Sequence, residues 1–256
     1  MDVLVAVPIH NEAATICRVI PRIRDFATDV LIVDDGSTDR TPELVDQLRS
    51  DLAGVIHHPT NLGYGQSLID AFRWAASDEA PRRYQWVITM DCDEQHEPES
   101  LPAFFDAIRH ADEASPAIDL ISGSRYMHDD QLAEGSFMPP PERRRVNRAL
   151  TAEINDRLGL GITDAFCGFK AHRLGPTLDL GLTETGYAFP MQLWARIAAK
   201  ALRVTELPVS LIYNDPNRSF GGDLDDAERR LRHYREILNA EIENAAQECK
   251  GCCPCL

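Results

Sequence analysis

The chain has 256 residues, 44% of them hydrophobic, and a formal net charge of −15 at pH 7. That length buries a full core as one large domain, or as a domain with a modest extension. The acidic balance excludes a general polyanion binder, because nucleic-acid affinity rests largely on phosphate neutralisation by Lys and Arg, so no nucleic-acid partner is expected.

The first half alternates short β-rich runs with helical patterns, the order that builds a parallel sheet with covering helices. Val3 to Val7 is followed by Glu12 to Phe26, Val30 to Val33 by Thr41 to Leu48, and Gly54 to His57 by Tyr64 to Ala76. Trp86 to Met90 leads to Glu99 through Ile108, and Asp119 to Ser122 closes the series. The strands are unbroken apolar runs, as expected when both sheet faces are covered. Val3 to Val7 is too short for a signal peptide and runs at once into Pro8 and polar residues. With no stretch of ~18 apolar residues anywhere, no transmembrane helix is expected, and the reading is cytoplasmic, with peripheral contact at the cytoplasmic membrane face left open.

The second half is less regular. A Met138-Pro139-Pro140-Pro141 break precedes the basic stretch Arg143-Arg144-Arg145-Val146-Asn147-Arg148, read as a helix continuing to about Leu158. A helix is expected around Phe189 to Ala201, a strand around Val204 to Tyr213, and a last polar helix from about Asp223 to Ala246. In that helix Asp225, Asp226, Glu228, Arg229, Arg230, Arg232 and Glu236 read as a solvated face laced by helix-spaced pairs, with dimerisation as the alternative. Cys249, Cys252, Cys253 and Cys255 crowd the end and read as a reduced, disordered tail rather than a disulfide framework; a soft-metal site and a prenylation box are the weaker alternatives.

In parallel sheets of this kind ligands bind beyond the carboxyl ends of the strands, where this chain puts its polar clusters. Asp91 and Asp93 flank one residue at the end of a buried strand, and with the amide oxygen of Gln95 they offer hard ligands to Mg²⁺ or Mn²⁺. Such an ion bridges a diphosphate and stabilises its charge as it leaves. The bland alternative is an acidic loop capping the next helix. Asp34-Asp35-Gly36-Ser37-Thr38-Asp39 supplies a turn and a cap at Asp39, and leaves Asp35 as a fixed acceptor toward a nucleobase or ribose. Asn61-Leu62-Gly63-Tyr64-Gly65-Gln66-Ser67 lacks the third glycine and the closing acidic residue of a dinucleotide fingerprint, which argues against a nicotinamide cofactor.

The segments VLVAVPIHNEAATI, DVLIVDDGSTDRT, NLGYGQSLIDAF, VITMDCDEQHEPESLP and SGSRY, in that order, resemble family 2 inverting glycosyltransferases of the GT-A fold, most of all the dolichyl- and polyprenyl-phosphate mannosyl- or glucosyl-synthases. The resemblance implies an α/β, Rossmann-like, mostly parallel sheet with covering helices over residues 1–215, with a nucleotide-binding half (1–126) and an acceptor half (127–215). Residues 216–256 would add a C-terminal loop, helix and Cys-rich tail. It implies that Pro8, His10, Glu12, Val33 and Asp35 surround the nucleoside, that Asp91, Cys92 and Asp93 lie along the ribose and diphosphate, and that Asp93 and Gln95 hold the divalent ion. Arg125 would face the phosphates. His10 stands where the family has an aromatic residue, Gly186-Tyr187-Ala188-Phe189 lacks the family's usual acidic residue, and the family's basic ending is replaced by Tyr213 to Gly222, where Arg218 is the candidate cation.

The expected reaction is inverting transfer of a hexose from a nucleoside-diphosphate sugar, GDP-mannose or UDP-glucose, to a polyprenyl phosphate at the membrane surface. Arg143, Arg144, Arg145 and Arg148 are candidate cations for a phosphate or anionic membrane surface, with a simply solvated basic helix face as the alternative. A hydroxyl acceptor on a soluble sugar or protein would need a general base, for which Asp164 is the candidate. A non-catalytic nucleotide-binding protein is the third reading, and the oligomeric state is left open.

Overall fold

The computed structural model describes residues 2–128, 132, 136–213 and 222–251; Arg218 and the last three cysteines lie outside them. Seven strands form one sheet in the order β3-β2-β1-β4-β6-β5-β7. The strands β1 (Val3–Ile9), β2 (Val30–Asp34), β3 (Gly54–His57) and β4 (Trp86–Thr89) pair in parallel. β5 (Leu120–Ser124) pairs in parallel with β7 (Val204–Pro208), and β6 (Lys170–Arg173) lies antiparallel between β4 and β5.

Side-chain alternation sends each strand's apolar residues to both faces. Val5, Val7, Ile32 and Ile88 bury into one hydrophobic layer, and Leu4, Ala6, Leu31 and Val87 into the other. The helices α1 (Ile16–Arg24), α2 (Thr41–Leu48), α3 (Tyr64–Ala76) and α4 (Leu101–Glu113) follow β1 to β4. α1 starts later than the expected Glu12, because residues 10–14 are used for a turn described below. α5 (Pro141–Leu158), α6 (Leu174–Leu178) and α7 (Phe189–Ala199) follow in the second half.

Two elements depart from the sequence expectation. β6 reads Lys-Ala-His-Arg, which carries no strand signal, yet Lys170 and His172 are buried. Lys170 Nζ donates to Ser122 Oγ at 2.7 Å and stands over the Trp194 ring, so local partners supply what burial removes. His172 packs against Phe72, and burial, with the charge of Lys170, lowers its pKa to about 3 and keeps it neutral. α8 (Ala227–Gly251), with the residues just before it, keeps the expected solvated face, since Asp225, Asp226, Glu228, Arg229, Arg232 and Glu236 are exposed. Arg230 is buried, however, and an opposite face was missed: Leu231, Tyr234 and Leu238 belong to the hydrophobic core, and Glu241 pairs with Arg196 of α7 at 2.8 Å. Full burial of one such Leu side chain contributes about 1.5–3 kcal/mol. Among the described residues no helix is long and apolar enough to cross a membrane.

Candidate active site

The carboxyl ends of β1, β2 and β4 open on a cavity of about 720 Å³. Register sets Pro8 beside Val33 and Ile9 beside Asp34, so the polar turns after β1 and β2 emerge side by side. Asn11, at φ +58°, stitches them together: its Oδ1 accepts the Thr38 and Asp39 N–H groups at 2.8 and 3.2 Å, and its own N–H donates to Ser37 Oγ at 2.9 Å. Asn is one of the few residues that tolerates this left-handed backbone. His10 Nδ1 donates to the Asp35 carbonyl at 2.8 Å, and the carboxylate of Glu12 accepts from Thr15 Oγ1 at 2.6 Å. Pro8, His10, Glu12 and Asp35 all line the cavity. Val33 does not: it is fully buried in the core beneath it.

Asp35 does more than was expected of it. Its carboxylate accepts the N–H groups of Leu62 and Gly63 at 2.7 and 2.9 Å and lies 2.7 Å from His58 Nδ1. With about four lone-pair positions on a carboxylate, three of these are spent on the protein and little is left for a ligand. Gly63 is required at this point, since its φ is +108° and a Cβ would sit 2.3 Å from the Thr185 carbonyl oxygen. The close approach brings the 184–187 segment to the cavity wall, where Tyr187 stacks on Tyr64 at 6.1 Å.

Beyond β4 the backbone N–H of Asp91 donates to His96 Nδ1 at 3.0 Å, and the Tyr64 hydroxyl donates to the Asp91 carboxylate. Burial, reinforced by the charge of Asp91, pushes the Tyr64 phenol well above its ordinary value, so it remains a donor. Asp93 Oδ1 accepts the Gln95 N–H at 2.8 Å across a turn in which Glu94 has φ +61°. Arg18 of α1 grips that Glu94 with two hydrogen bonds of 3.1 and 2.9 Å, which together with the Asp93 bond holds the strained turn. Cys92 lines the cavity, but its side chain is buried beside Thr15, and burial raises its thiol pKa, leaving it neither nucleophile nor soft ligand.

Among the described residues no three His, Cys, Asp or Glu side chains gather to hold a metal by themselves. Asp91, Asp93 and Gln95 do line one wall of the cavity together, and one or two carboxylates completed by substrate phosphates is the ordinary habit of Mg²⁺. The buried Gln95 Nε2 has no hydrogen-bond partner. Exchanging the two ends of that amide would put an acceptor oxygen there, which a cation satisfies.

Arg125 also lines the cavity, but its guanidinium is committed to Asp164, which is entirely buried. Asp164 further accepts from Asn147 Nδ2 and the Phe166 N–H, both at 3.1 Å. Burial alone would raise its pKa, but the Arg125 charge and these donors hold it well below the usual carboxylate range. A saturated carboxylate of that kind is a poor proton acceptor, so the expectation of Asp164 as general base is corrected: it positions Arg125.

The opposite side of the cavity is made by α5, α7 and α8. Here the basic stretch splits, with Arg143 lining the cavity over the Tyr213 ring and Arg145 pairing outside with Glu228. Arg230 and Tyr234 of α8 join this wall. Neither was among the expected site residues; the signal was the apolar stripe Leu231, Tyr234 and Leu238 at helical spacing, which turns one face of α8 inward and carries Arg230 with it.

A mostly parallel sheet with paired carboxylates at the mouth of a cavity on its carboxyl edge defines a glycosyltransferase domain of the GT-A class. The family model described as glycosyl transferase family 2 matches residues 4–175, and the chain belongs to that family. It is 30% identical over 226 residues to an undecaprenyl-phosphate mannosyltransferase of Micrococcus luteus, spanning 86% of this chain and 87% of that one. It is 31% identical over 217 residues to a polyprenol monophosphomannose synthase of Mycolicibacterium smegmatis, spanning 81% and 76% respectively. The fold is shared with glucosyl-3-phosphoglycerate synthase from Mycobacterium tuberculosis crystallised with Mg²⁺ and UDP, at TM-score 0.65 and 20% identity over 94% of this chain and 79% of that one.

Proposed function

We propose that this protein transfers a hexose, with inversion, from a nucleoside-diphosphate sugar such as GDP-mannose or UDP-glucose to a polyprenyl phosphate. The observation that carries the reading is a single cavity with two chemically different sides. One is lined by Asp91, Asp93 and Gln95, and the other by Val146, Phe166, Leu211 and Tyr213 with Arg143 among them. An amphiphile with an anionic head fits the second side, and the names of the two bacterial relatives support a lipid-linked acceptor.

In this reading Pro8, His10 and Glu12 surround the nucleoside, and Asp35 acts by holding the Leu62-Gly63 turn against it. Asp91, the backbone of Cys92 and Asp93 run along the ribose and diphosphate. Asp91, Asp93 and Gln95 would hold Mg²⁺ or Mn²⁺, which when bound supplies neutralisation of the charge developing on the leaving diphosphate. The structural neighbour crystallised with Mg²⁺ and UDP motivates that assignment. Arg125, fixed by Asp164, presents an immobile positive wall. The acceptor's phosphate oxygen attacks the anomeric carbon from the face opposite the diphosphate, forming one C–O bond as the other breaks. A phosphate monoester is already anionic and needs no general base, so this reaction is compatible with the commitment of Asp164 to Arg125. Exposed Phe137 and Met138, next to the cavity residue Pro139, suit a protein that meets its acceptor at a membrane surface.

The test is incubation with a panel of labelled nucleotide sugars and a polyprenyl phosphate, with and without EDTA. Label moving into the organic phase, and only without EDTA, is the expected result. Label that stays in the aqueous phase with every donor would sink the acceptor assignment.

A further inference from the structure

We propose that Gln192 of α7, held by Glu241 of α8, is a positioning residue for transfer: it fixes segment 183–187 against the start of α3, so that Tyr64 keeps Asp91 in place at the strand ends. The proposal rests on the donor-side reading of Asp91 above, and both Gln192 and Glu241 lie beyond the stretch that the family model matches.

Gln192 is 1% exposed and stands behind the residues that line the cavity. Its Oε1 accepts the N–H groups of Thr183 and Glu184, each at 2.7 Å. Its Nε2 donates to Thr183 Oγ1 at 3.1 Å and to Glu241 Oε1 at 2.9 Å. Two lone pairs and two N–H groups are the whole capacity of an amide, and all four are used. The partners also fix which end is which, because the reversed amide would set N–H groups against N–H groups and its oxygen against a carboxylate. An apolar side chain there would bury two backbone donors without acceptors, and a carboxylate would face the one on Glu241. Glu241 is in turn anchored by Arg196 at 2.8 Å.

The segment held in this way presses on α3. The Gln66 N–H donates to the Thr185 carbonyl at 3.1 Å. A Cβ on Gly63 or on Gly65 would collide with the carbonyl oxygen of Thr185 or of Glu184, so this contact is the reason for both glycines of Asn61-Leu62-Gly63-Tyr64-Gly65. Between them Tyr64 lies beside Tyr187, with ring centroids 6.1 Å apart and planes inclined by 12°. The Tyr64 hydroxyl and Asp91 Oδ2 converge over Gly168, where a Cβ would lie 2.7 Å from the one and 3.0 Å from the other. A displacement of 183–187 therefore reaches Asp91 by way of Tyr64.

The experiment measures kcat for transfer, at saturating nucleotide sugar and polyprenyl phosphate and with melting curves alongside, in full-length wild type, Gln192→Met, Tyr64→Phe and the double variant. Each single variant is expected to lose about tenfold to a hundredfold in kcat, the scale of a reacting group displaced by about an ångström. Because both losses pass through the same hydroxyl, the double variant stays within about threefold of the slower single one. A wild-type kcat in folded Gln192→Met or Tyr64→Phe, or losses that multiply in the double variant, overturns the proposal and leaves the transferase reading intact. Should Gln192→Met fail to fold, Gln192→Glu and its combination with Glu241→Gln decide. The single variant is expected to lose kcat, and the combination, in which amide and carboxylate have changed places, to recover it. A wild-type kcat in the single variant, or no recovery in the combination, overturns the proposal. Wild type that transfers no label from any nucleotide sugar overturns the proposal and the reading together.

Discussion

Arg125 reaches Asp164 with two parallel hydrogen bonds, Nε to Oδ2 at 2.7 Å and Nη2 to Oδ1 at 3.1 Å. The carboxylate has no exposure to solvent and the guanidinium keeps one edge on the cavity. The pair therefore trades mobility for position, and Arg125 is a fixed feature of the wall.

Replacing Asp164 with Asn leaves the Arg125 charge buried without its counterion and should destabilise the protein by about 3–5 kcal/mol. The pH dependence follows from the depressed carboxylate. Its contribution is complete above the unfolded value of about 3.9 and is lost as pH falls through the lower folded value. Urea unfolding of wild type and Asp164→Asn should show a gap that is constant from about pH 8 to 5 and closes below about pH 4. A gap that widens in acid would contradict the assignment.

Gly168 permits the contact between Tyr64 and Asp91. A Cβ there would sit 2.7 Å from the Tyr64 hydroxyl and 3.0 Å from Asp91 Oδ2. Gly168→Ala should cut turnover about tenfold to a hundredfold through displacement of Asp91, with a stability loss of about 1–3 kcal/mol. Wild-type kcat in a folded variant would show that the position of Asp91 is not critical.

Asp35→Asn puts an amide group among the N–H donors of Leu62 and Gly63. Calorimetric titration with the preferred nucleoside diphosphate should show affinity at least about tenfold weaker, the effect of one mismatched buried hydrogen bond on the wall. Unaltered affinity would detach this turn from the nucleotide.

Leu238 is fully buried where α8 enters the core. Leu238→Ala should cost about 2–5 kcal/mol in denaturant unfolding. A loss under about 0.5 kcal/mol, as at surface positions, would mean that α8 is peripheral to the fold.

The parts of the fold written in hydrophobic periodicity were legible in the sequence. Val3–Val7, Val30–Val33 and Trp86–Met90 alternate between two buried layers, and their polar sequels meet at one edge as expected. β6 was not legible, because Lys170 and His172 are polar residues that are buried only after folding, Lys170 against Ser122 and Trp194 and His172 as a neutral ring beside Phe72. The same reason hid the role of Asp164, which reads as an accessible acid until Arg125, just beyond the end of β5 and 39 residues earlier in the chain, closes on it. Arg230 was read as solvated because its neighbours Glu228, Arg229 and Arg232 are charged; the inward stripe that decides its environment is only one face of the helix.

The central claim is that the acidic edge after β4 carries the donor's diphosphate, and Asp93→Ala tests it most directly. Turnover is to be measured at saturating donor with Mn²⁺ present, alongside a melting curve that confirms the fold. A fall of about a thousandfold or more, not restored by further donor, is the predicted result. A rate near that of wild type with excess donor would contradict it.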